Sequence, residues 1–351
     1  MLEWIKNEKN YIKHLLFPLA TIYRLIVFWR NVLYNHNFFI SRKLPAKIIS
    51  VGNITTGGTG KTPAVIFLTQ HFLQKQKKVA ILSRGYGRKT AGTQEVTNGK
   101  IIHGDWLNFG DEPYLMAKKL PGVPIVVDEN RYRGGLYIVE KFRPDIIILD
   151  DAFQHRALER DVDIVLINAH DQKSNHKMFP YGLLREPIKN LKRANFIFLS
   201  KTNLNKPSPY LVDLTKKVDI PTYYSNFNYS DLISPKGKKP KQNQKLKTLA
   251  LSGIADKAGF HRMIKQQKHL RIIKTISYSD HYEYSQADME KIKREAQLND
   301  IDIIVTTEKD MVKIEKLKLS NLEIFSLAGD FQIVEENKFF VQLDKKLLNQ
   351  S

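Results

Sequence analysis

The stretch Lys47-Ile48-Ile49-Ser50-Val51-Gly52-Asn53-Ile54-Thr55-Thr56-Gly57-Gly58-Thr59-Gly60-Lys61-Thr62 decides the fold. An apolar strand runs into a glycine-rich turn, and Ala64-Val65-Ile66-Phe67-Leu68 continues it with a helical pattern. This order suits an anion, because glycines let successive backbone N–H groups wrap a phosphate at a helix N-terminus. Thr56, Gly57, Gly58, Thr59, Gly60, Lys61 and Thr62 are therefore the expected nucleotide-binding residues. Lys61 would neutralise the β- and γ-phosphates, and the Thr62 hydroxyl would ligate Mg2+.

The loop departs from the usual phosphate-loop pattern at Thr55, where a glycine is expected. Its double glycine, Gly57-Gly58, resembles the variant loop of the partitioning and signal-recognition ATPase/GTPase class. That class often carries a lysine just before the double glycine, whereas this chain has Thr56, so dimer-dependent catalysis through such a lysine is not supported.

Downstream, near-continuous Ile, Val and Leu runs alternate with helical spacers, which predicts a mostly parallel sheet buried on both faces. Strands are expected at 47–53, 78–84, 123–128, 145–151, 163–169 and 196–201, then at 248–254, 271–278, 302–307 and 322–327. The expected fold is α/β: a P-loop NTPase-type, mostly parallel sheet flanked by helices, a second smaller α/β domain and an N-terminal membrane-associated helix. The expected boundaries are 1–45 for the helical segment, 46–222 for the P-loop core and 223–246 for a basic, exposed connector. The smaller α/β domain then takes 247–330, and 331–351 returns towards the core. A length of 351 residues suits two domains, and a composition of 42% apolar and 26% charged residues is that of a globular chain. The absence of cysteine excludes disulfides, thiolate metal sites and cysteine nucleophiles.

Charge narrows the partners. The 56 Lys and Arg against 36 Asp and Glu leave +20, which points to a polyanionic partner. Residues 11–33 form an apolar helical stretch with a narrow polar stripe at His14, Thr21, Arg24 and Asn31, interrupted by Pro18 and Arg24. It reads as an interfacial helix rather than a spanning one, with Tyr11, Tyr23 and Trp29 at headgroup depth. Lys6, Lys9, Lys13, Arg30, Arg42 and Lys43 would meet lipid phosphates. The lysine-rich stretch 234–247 lacks aromatic interleaving, so no nucleic-acid partner is expected.

The acids supply the remaining chemistry. Asp145-Ile146-Ile147-Ile148-Leu149-Asp150-Asp151 is an apolar strand ending in paired carboxylates, whose repulsion a cation would relieve, so Asp150 and Asp151 are expected metal ligands. Ala152-Phe153-Gln154-His155 follows, with Gln154 and His155 able to reach a substrate. Gly110-Asp111-Glu112-Pro113 opens a helix; read locally it is a cap, and read chemically Asp111 is a candidate base and Glu112 a further metal ligand.

Together these segments resemble the tetraacyldisaccharide 4'-kinases of lipid A biosynthesis. The marks are Ser50-Val51-Gly52-Asn53 with the loop to Pro63, Ser83-Arg84-Gly85-Tyr86-Gly87-Arg88, Gly110-Asp111-Glu112-Pro113 and Leu149-Asp150-Asp151-Ala152-Phe153-Gln154-His155. Asp280-His281-Tyr282 and Thr306-Thr307-Glu308-Lys309-Asp310 complete them. The resemblance implies ATP with Mg2+, transfer to the 4'-hydroxyl of an acylated glucosamine disaccharide 1-phosphate, and Asp111 as base with His281 as partner. It also implies a monomer at the cytoplasmic face of the bacterial inner membrane, with Arg84, Tyr86, Arg88, Arg131, Gln154 and His155 towards the lipid. The competing reading is a nucleotide-controlled switch or metallochaperone-like protein, suggested by Lys201-Thr202-Asn203 as an imperfect guanine-reading element.

Overall fold

The computed structural model describes residues 11–204, 206–240, 245–317 and 323–348. Lys6, Lys9, the 241–244 part of the lysine-rich stretch, Leu322 and residues 349–351 lie outside them. The strands are β1 (Lys47–Asn53), β2 (Val79–Ser83), β3 (Gln94–Asn98), β4 (Pro124–Val127), β5 (Ile146–Asp150) and β6 (Val162–Asn168). β7 (Phe196–Ser200), β8 (Thr222–Ile233), β9 (Leu246–Ser252), β10 (Leu270–Ser277), β11 (Ile303–Thr307) and β12 (Ile324–Ile333) follow. All belong to one sheet in the order β10-β9-β11-β12-β8-β7-β6-β1-β5-β2-β4-β3. The pairs are parallel except β3 with β4 and β8 with β12.

The helices used below are α1 (Phe17–Asn35), α2 (Lys61–Gln74), α3 (Asp111–Lys119), α4 (Arg131–Phe142), α5 (Pro209–Val218), α6 (Lys257–Gln266), α7 (Gln286–Leu298), α8 (Glu308–Ile314) and α9 (Glu336–Leu348). Their apolar faces cover the sheet. In the P-loop half, Ala64, Val65, Leu68 and Phe72 of α2 pack on Ile49, Val51, Ile148 and Ile164, and Phe339, Phe340, Leu343 and Leu347 of α9 join the same core. Phe260, Met263 and Ile264 of α6 cover β9, β11 and β12 on one face of the second half, while Met289 and Ile292 of α7 cover the other.

Three sequence expectations change. The segment 223–246 is not wholly an exposed connector, because β8 occupies it as far as Ile233 and buries Tyr223, Ser225 and Leu232. Its alternating Tyr, Asn, Ser and Phe become a strand by pairing antiparallel with β12, which joins the two halves of the sheet. Pro18 does not interrupt the N-terminal helix but sits in its first turn, where the missing N–H costs nothing. Tyr23 and Arg30 do not point to lipid: Tyr23 Oη donates to Arg185 O at 2.9 Å, and Arg30 pairs with the buried Glu186 at 2.9 Å.

α1 nevertheless buries only Ala20, Val27 and Asn31 along its length. Leu19, Ile22, Leu25, Ile26, Phe28 and Trp29 are exposed. By length and composition, His14–Asn35 is long and apolar enough to cross a membrane.

Gly52 shows how tightly the strand ends are packed beneath the loop. A Cβ there would stand 2.6 Å from Phe153 Cβ and 2.8 Å from Phe153 N. Gly52→Ala is therefore expected to lower stability by about 1–3 kcal/mol, measured by chemical denaturation; wild-type stability would contradict this packing.

Candidate active site

The loop between β1 and α2 is shaped by residues far apart in sequence. Gly57 and Gly60 hold φ of 122° and 88°, which disfavour side chains. Asn53 Nδ2 donates to Thr59 Oγ1 at 3.1 Å, and Ser200 Oγ donates to Thr59 O at 2.8 Å. Lys201 Nζ donates to Gly58 O at 3.0 Å and pairs with Asp256, which lies just before α6. The outer side of the loop is held as a short antiparallel ribbon: Thr56 N donates to Leu183 O at 2.8 Å, and Arg185 N donates to Ile54 O at 2.7 Å.

The adjacent carboxylates at the end of β5 diverge. Asp150 is buried; its Oδ2 accepts from Ser83 Oγ at 2.9 Å, while its Oδ1 is buried without a partner. Burial, reinforced by the negative charges of Glu112 and Asp151, pushes its carboxyl up to about 7. Asp151, held at φ 48°, accepts from Arg185 Nη1 at 2.8 Å on both oxygens and lies 3.8 Å from Lys61 Nζ. Burial alone would raise its carboxyl, but Lys61 and Arg185 hold it at about 2.

Opposite stands a cluster that joins the two halves. Asp111 is the first residue of α3, after Gly110 at φ 93°, and its Oδ1 accepts from Glu112 N at 2.9 Å. Its buried carboxylate meets His281 Nδ1 at 3.0 and 3.2 Å. Lys309 Nζ and Lys313 Nζ each lie 3.9 Å from it. Lys309 also donates to Glu112 Oε1 at 3.0 Å, contacts His281 Nε2 at 3.2 Å and pairs with Asp280 at 3.5 Å. Burial raises the Asp111 carboxyl, but Lys309, His281 and Lys313 outweigh it and hold the group at about 2. Burial would likewise discharge Lys309, yet Glu112, Asp111 and Asp280 raise its pKa above the ordinary lysine range.

A cavity of about 1360 Å³ runs between these two groups. Thr56 to Thr62, Glu112, Asp150, Asp151 and His281 line it, as do Arg84, Tyr86, Gln154 and His155. Asp111 lies behind His281. Burial and Arg131 push the His155 imidazole down to about 3, so it is neutral. Gln154 is partly committed, donating to Asn53 O at 2.9 Å.

Arg88 and Arg131, expected near substrate, are not on the cavity wall. Arg88 pairs with Glu129 and donates to Gly92 O at 2.7 Å. Arg131, buried at the start of α4, donates to Asp128 O at 2.5 Å and Asp150 O at 3.3 Å, so it braces the strand end that carries Asp150. Sequence reading also gave no role to Arg185, Lys309 or Lys313. Lys309 stood in a quoted motif, and its setting between two acids at a strand end was the available signal; Arg185 lies in irregular chain without one.

Among the described residues, no three His, Asp or Glu side chains form a ready-made metal cage. The buried, unpartnered Asp150 Oδ1, in the cavity that Thr62 also lines, fits a cation that takes few protein ligands and completes its shell with phosphate and water, as Mg2+ does.

Residues 12–348 match the family model for tetraacyldisaccharide-1-P 4'-kinase. The chain belongs to this family. It is 36% identical over 325 residues to the tetraacyldisaccharide 4'-kinase of Aquifex aeolicus, covering 92% of this chain and 95% of that protein. Identity to the enzyme of Chlorobaculum tepidum is 37% over 303 residues, 86% of each chain. The crystal structure of LpxK from Aquifex aeolicus, an "apo" form in complex with ATP, matches with a TM-score of 0.77 at 32% identity, over 96% of this chain and 99% of that one. The protein is thus a kinase of the lipid A biosynthetic family. The guanine-reading alternative loses its support as well, since both ends of the Asn203 amide are bound to the Phe227 backbone.

The electrostatics of Asp111 carry a test. Its depressed pKa means that the ionised group stabilises the fold above the ordinary carboxylate range near pH ~4, and that this contribution is lost as pH falls through about 2. Asp111→Asn should cost on the order of 3 kcal/mol at neutral pH, and the gap to wild type should narrow between about pH 4 and pH 2. Denaturant melts across that range check it; a pH-independent gap would contradict it.

Proposed function

We propose that this kinase transfers the γ-phosphate of ATP to the 4'-hydroxyl of an acylated glucosamine disaccharide 1-phosphate presented at a membrane surface. The observation that carries this reading is the single cavity with the phosphate loop on one wall, the His281–Asp111 pair on another, and Tyr23 and Arg30 of the apolar helix at its edge. A triphosphate and a lipid-borne hydroxyl can meet there.

Thr56 to Thr62 would cradle the phosphates, with Lys61 against the β- and γ-phosphates. Mg2+, held by Thr62 and Asp150 with Glu112 and Asp151 close by, would draw charge from the transferring phosphoryl group. The geometry supports an order for the two catalytic groups that differs from Asp111 as the direct base. Asp111 is buried and strongly acidic, whereas His281 faces the cavity. Asp111 would therefore accept the Nδ1 hydrogen of His281, leaving the Nε2 lone pair for the acceptor hydroxyl. The hydroxyl proton passes to Nε2, the oxygen attacks the γ-phosphorus as its bond to the β–γ bridging oxygen breaks and ADP leaves, and the carboxylate stabilises the resulting imidazolium. Lys309, within 3.2 Å of Nε2, favours the same tautomer, and the arriving hydroxyl takes its place on that lone pair.

Arg84 and Tyr86 are suited to the polar part of the acceptor, with Gln154 and His155 nearby. The exposed face of α1 would enter the cytoplasmic leaflet of the inner membrane, with its other face bound to the protein through Tyr23, Arg30 and Asn31. That attachment suits a helix lying in the interface rather than crossing. We read the enzyme as a monomer whose second half, from β9 onward, acts as the smaller domain and brings His281 to the phosphate loop.

His281→Ala should lower kcat by on the order of 10²-fold while changing the KM for ATP by less than about threefold. Steady-state kinetics in detergent micelles measure both. Equal losses in the two parameters would sink the proposed role of His281.

A further inference from the structure

The segment Leu183–Glu186 touches three parts of the molecule that otherwise have separate tasks. Its backbone pairs antiparallel with the first half of the phosphate loop, with Thr55 opposite Leu184 and bonds between Thr56 and Leu183 and between Arg185 and Ile54. The Arg185 side chain grips both oxygens of Asp151. Its other side receives α1: Tyr23 Oη donates to Arg185 O, and Arg30 and Asn31 donate to the Glu186 carboxylate at 2.9 and 3.3 Å.

Glu186 is the anchor of this contact. Its side chain is 0% exposed, and Arg193 and Asn190 complete its shell at 2.8 and 2.7 Å. Arg193 in turn lies over the ring of Phe153, two residues after Asp151, at 4.4 Å. Two of the four donors to this buried carboxylate come from α1, so a shift of α1 on the protein strips Glu186 of Arg30 and Asn31 and leaves it with Arg193 and Asn190 alone. Any shift that moves 183–186 also moves Ile54, Thr56 and Asp151. Neither wall of the cavity explains this wiring, because Glu186 does not reach the cavity itself.

We propose that Glu186 is a positioning residue that makes the seating of the lipid-facing helix and the alignment of the phosphate loop one mechanical event. It acts through Arg30 and α1 on one side and through the 183–186 ribbon on the other, and it touches no substrate. The proposal rests on reading the cavity as the nucleotide site but not on the identity of the acceptor. By reciprocity of coupled equilibria, binding of α1 to a lipid surface then tightens nucleotide binding.

The test uses the full chain without any glycolipid acceptor. Affinity for a fluorescent ATP analogue with Mg2+ is measured with and without phosphatidylglycerol vesicles, for wild type, Glu186→Gln and Tyr23→Phe. Wild type should bind the nucleotide several-fold more tightly with vesicles. Glu186→Gln should still sediment with vesicles but lose that gain and bind the nucleotide on the order of tenfold more weakly. Tyr23→Phe, which buries no charge, should show a smaller loss of the same kind and keeps the test valid if Glu186→Gln fails to fold. Identical vesicle effects in wild type and either folded variant would overturn the proposal, as would a wild-type affinity indifferent to vesicles. An absence of nucleotide binding in wild type would instead remove the reading of the cavity.

Discussion

One buried carboxylate, Asp111, is neutralised entirely from the other half of the chain. It opens α3 beside the P-loop core, while His281, Lys309 and Lys313, the groups that balance it, come from beyond β9. Drawing the halves apart would strip the Asp111 carboxylate of all three basic partners, while Lys309 and Lys313 would keep Asp280 and Asp310 in their own half. That balance orients His281 towards the cavity, while Lys201 holds Asp256 against the phosphate loop.

The same electrostatic logic separates Asp150 from Asp151, which are adjacent in sequence but opposite in behaviour. Asp151 turns outward through a left-handed backbone to Arg185 and Lys61 and remains charged, whereas Asp150 stays beneath the loop with one oxygen unpartnered and a raised affinity for a proton. A site that holds one carboxyl ionised and the other short of positive charge is prepared for a cation arriving with phosphate. Arg131, an apparent substrate residue in the sequence, supports this arrangement from below.

Much of this was legible in the sequence, for physical reasons. Strand β1, the glycine turn and α2 form one continuous local signal, and the apolar runs of β5, β6 and β7 announce burial on both faces, so the parallel sheet could be read directly. β8 could not, because its Asn, Ser and Tyr alternation acquires meaning only when β12 supplies the opposing hydrogen bonds. Asp111 and His281 were legible as a pair only through family resemblance, since 170 positions separate them and no periodicity links them. Their order in space was hidden, because burial is a tertiary property: the histidine faces the cavity and the aspartate lies behind it. Arg88 was set towards the lipid by the family resemblance alone, and its pairing with Glu129 is likewise a tertiary property that the sequence does not announce.

In the proposed reaction the exposed face of α1 would give the enzyme access to a lipid, and the Asp111–His281 pair would activate that lipid's hydroxyl. The measurement that bears most directly on this account follows the terminal phosphate of ATP. Purified protein is incubated with Mg-ATP labelled at the γ-position and an acylated glucosamine disaccharide 1-phosphate in detergent micelles, and the labelled product is identified. The account predicts label on the 4'-oxygen of the glycolipid. Label released only as inorganic phosphate in the presence of acceptor would contradict it.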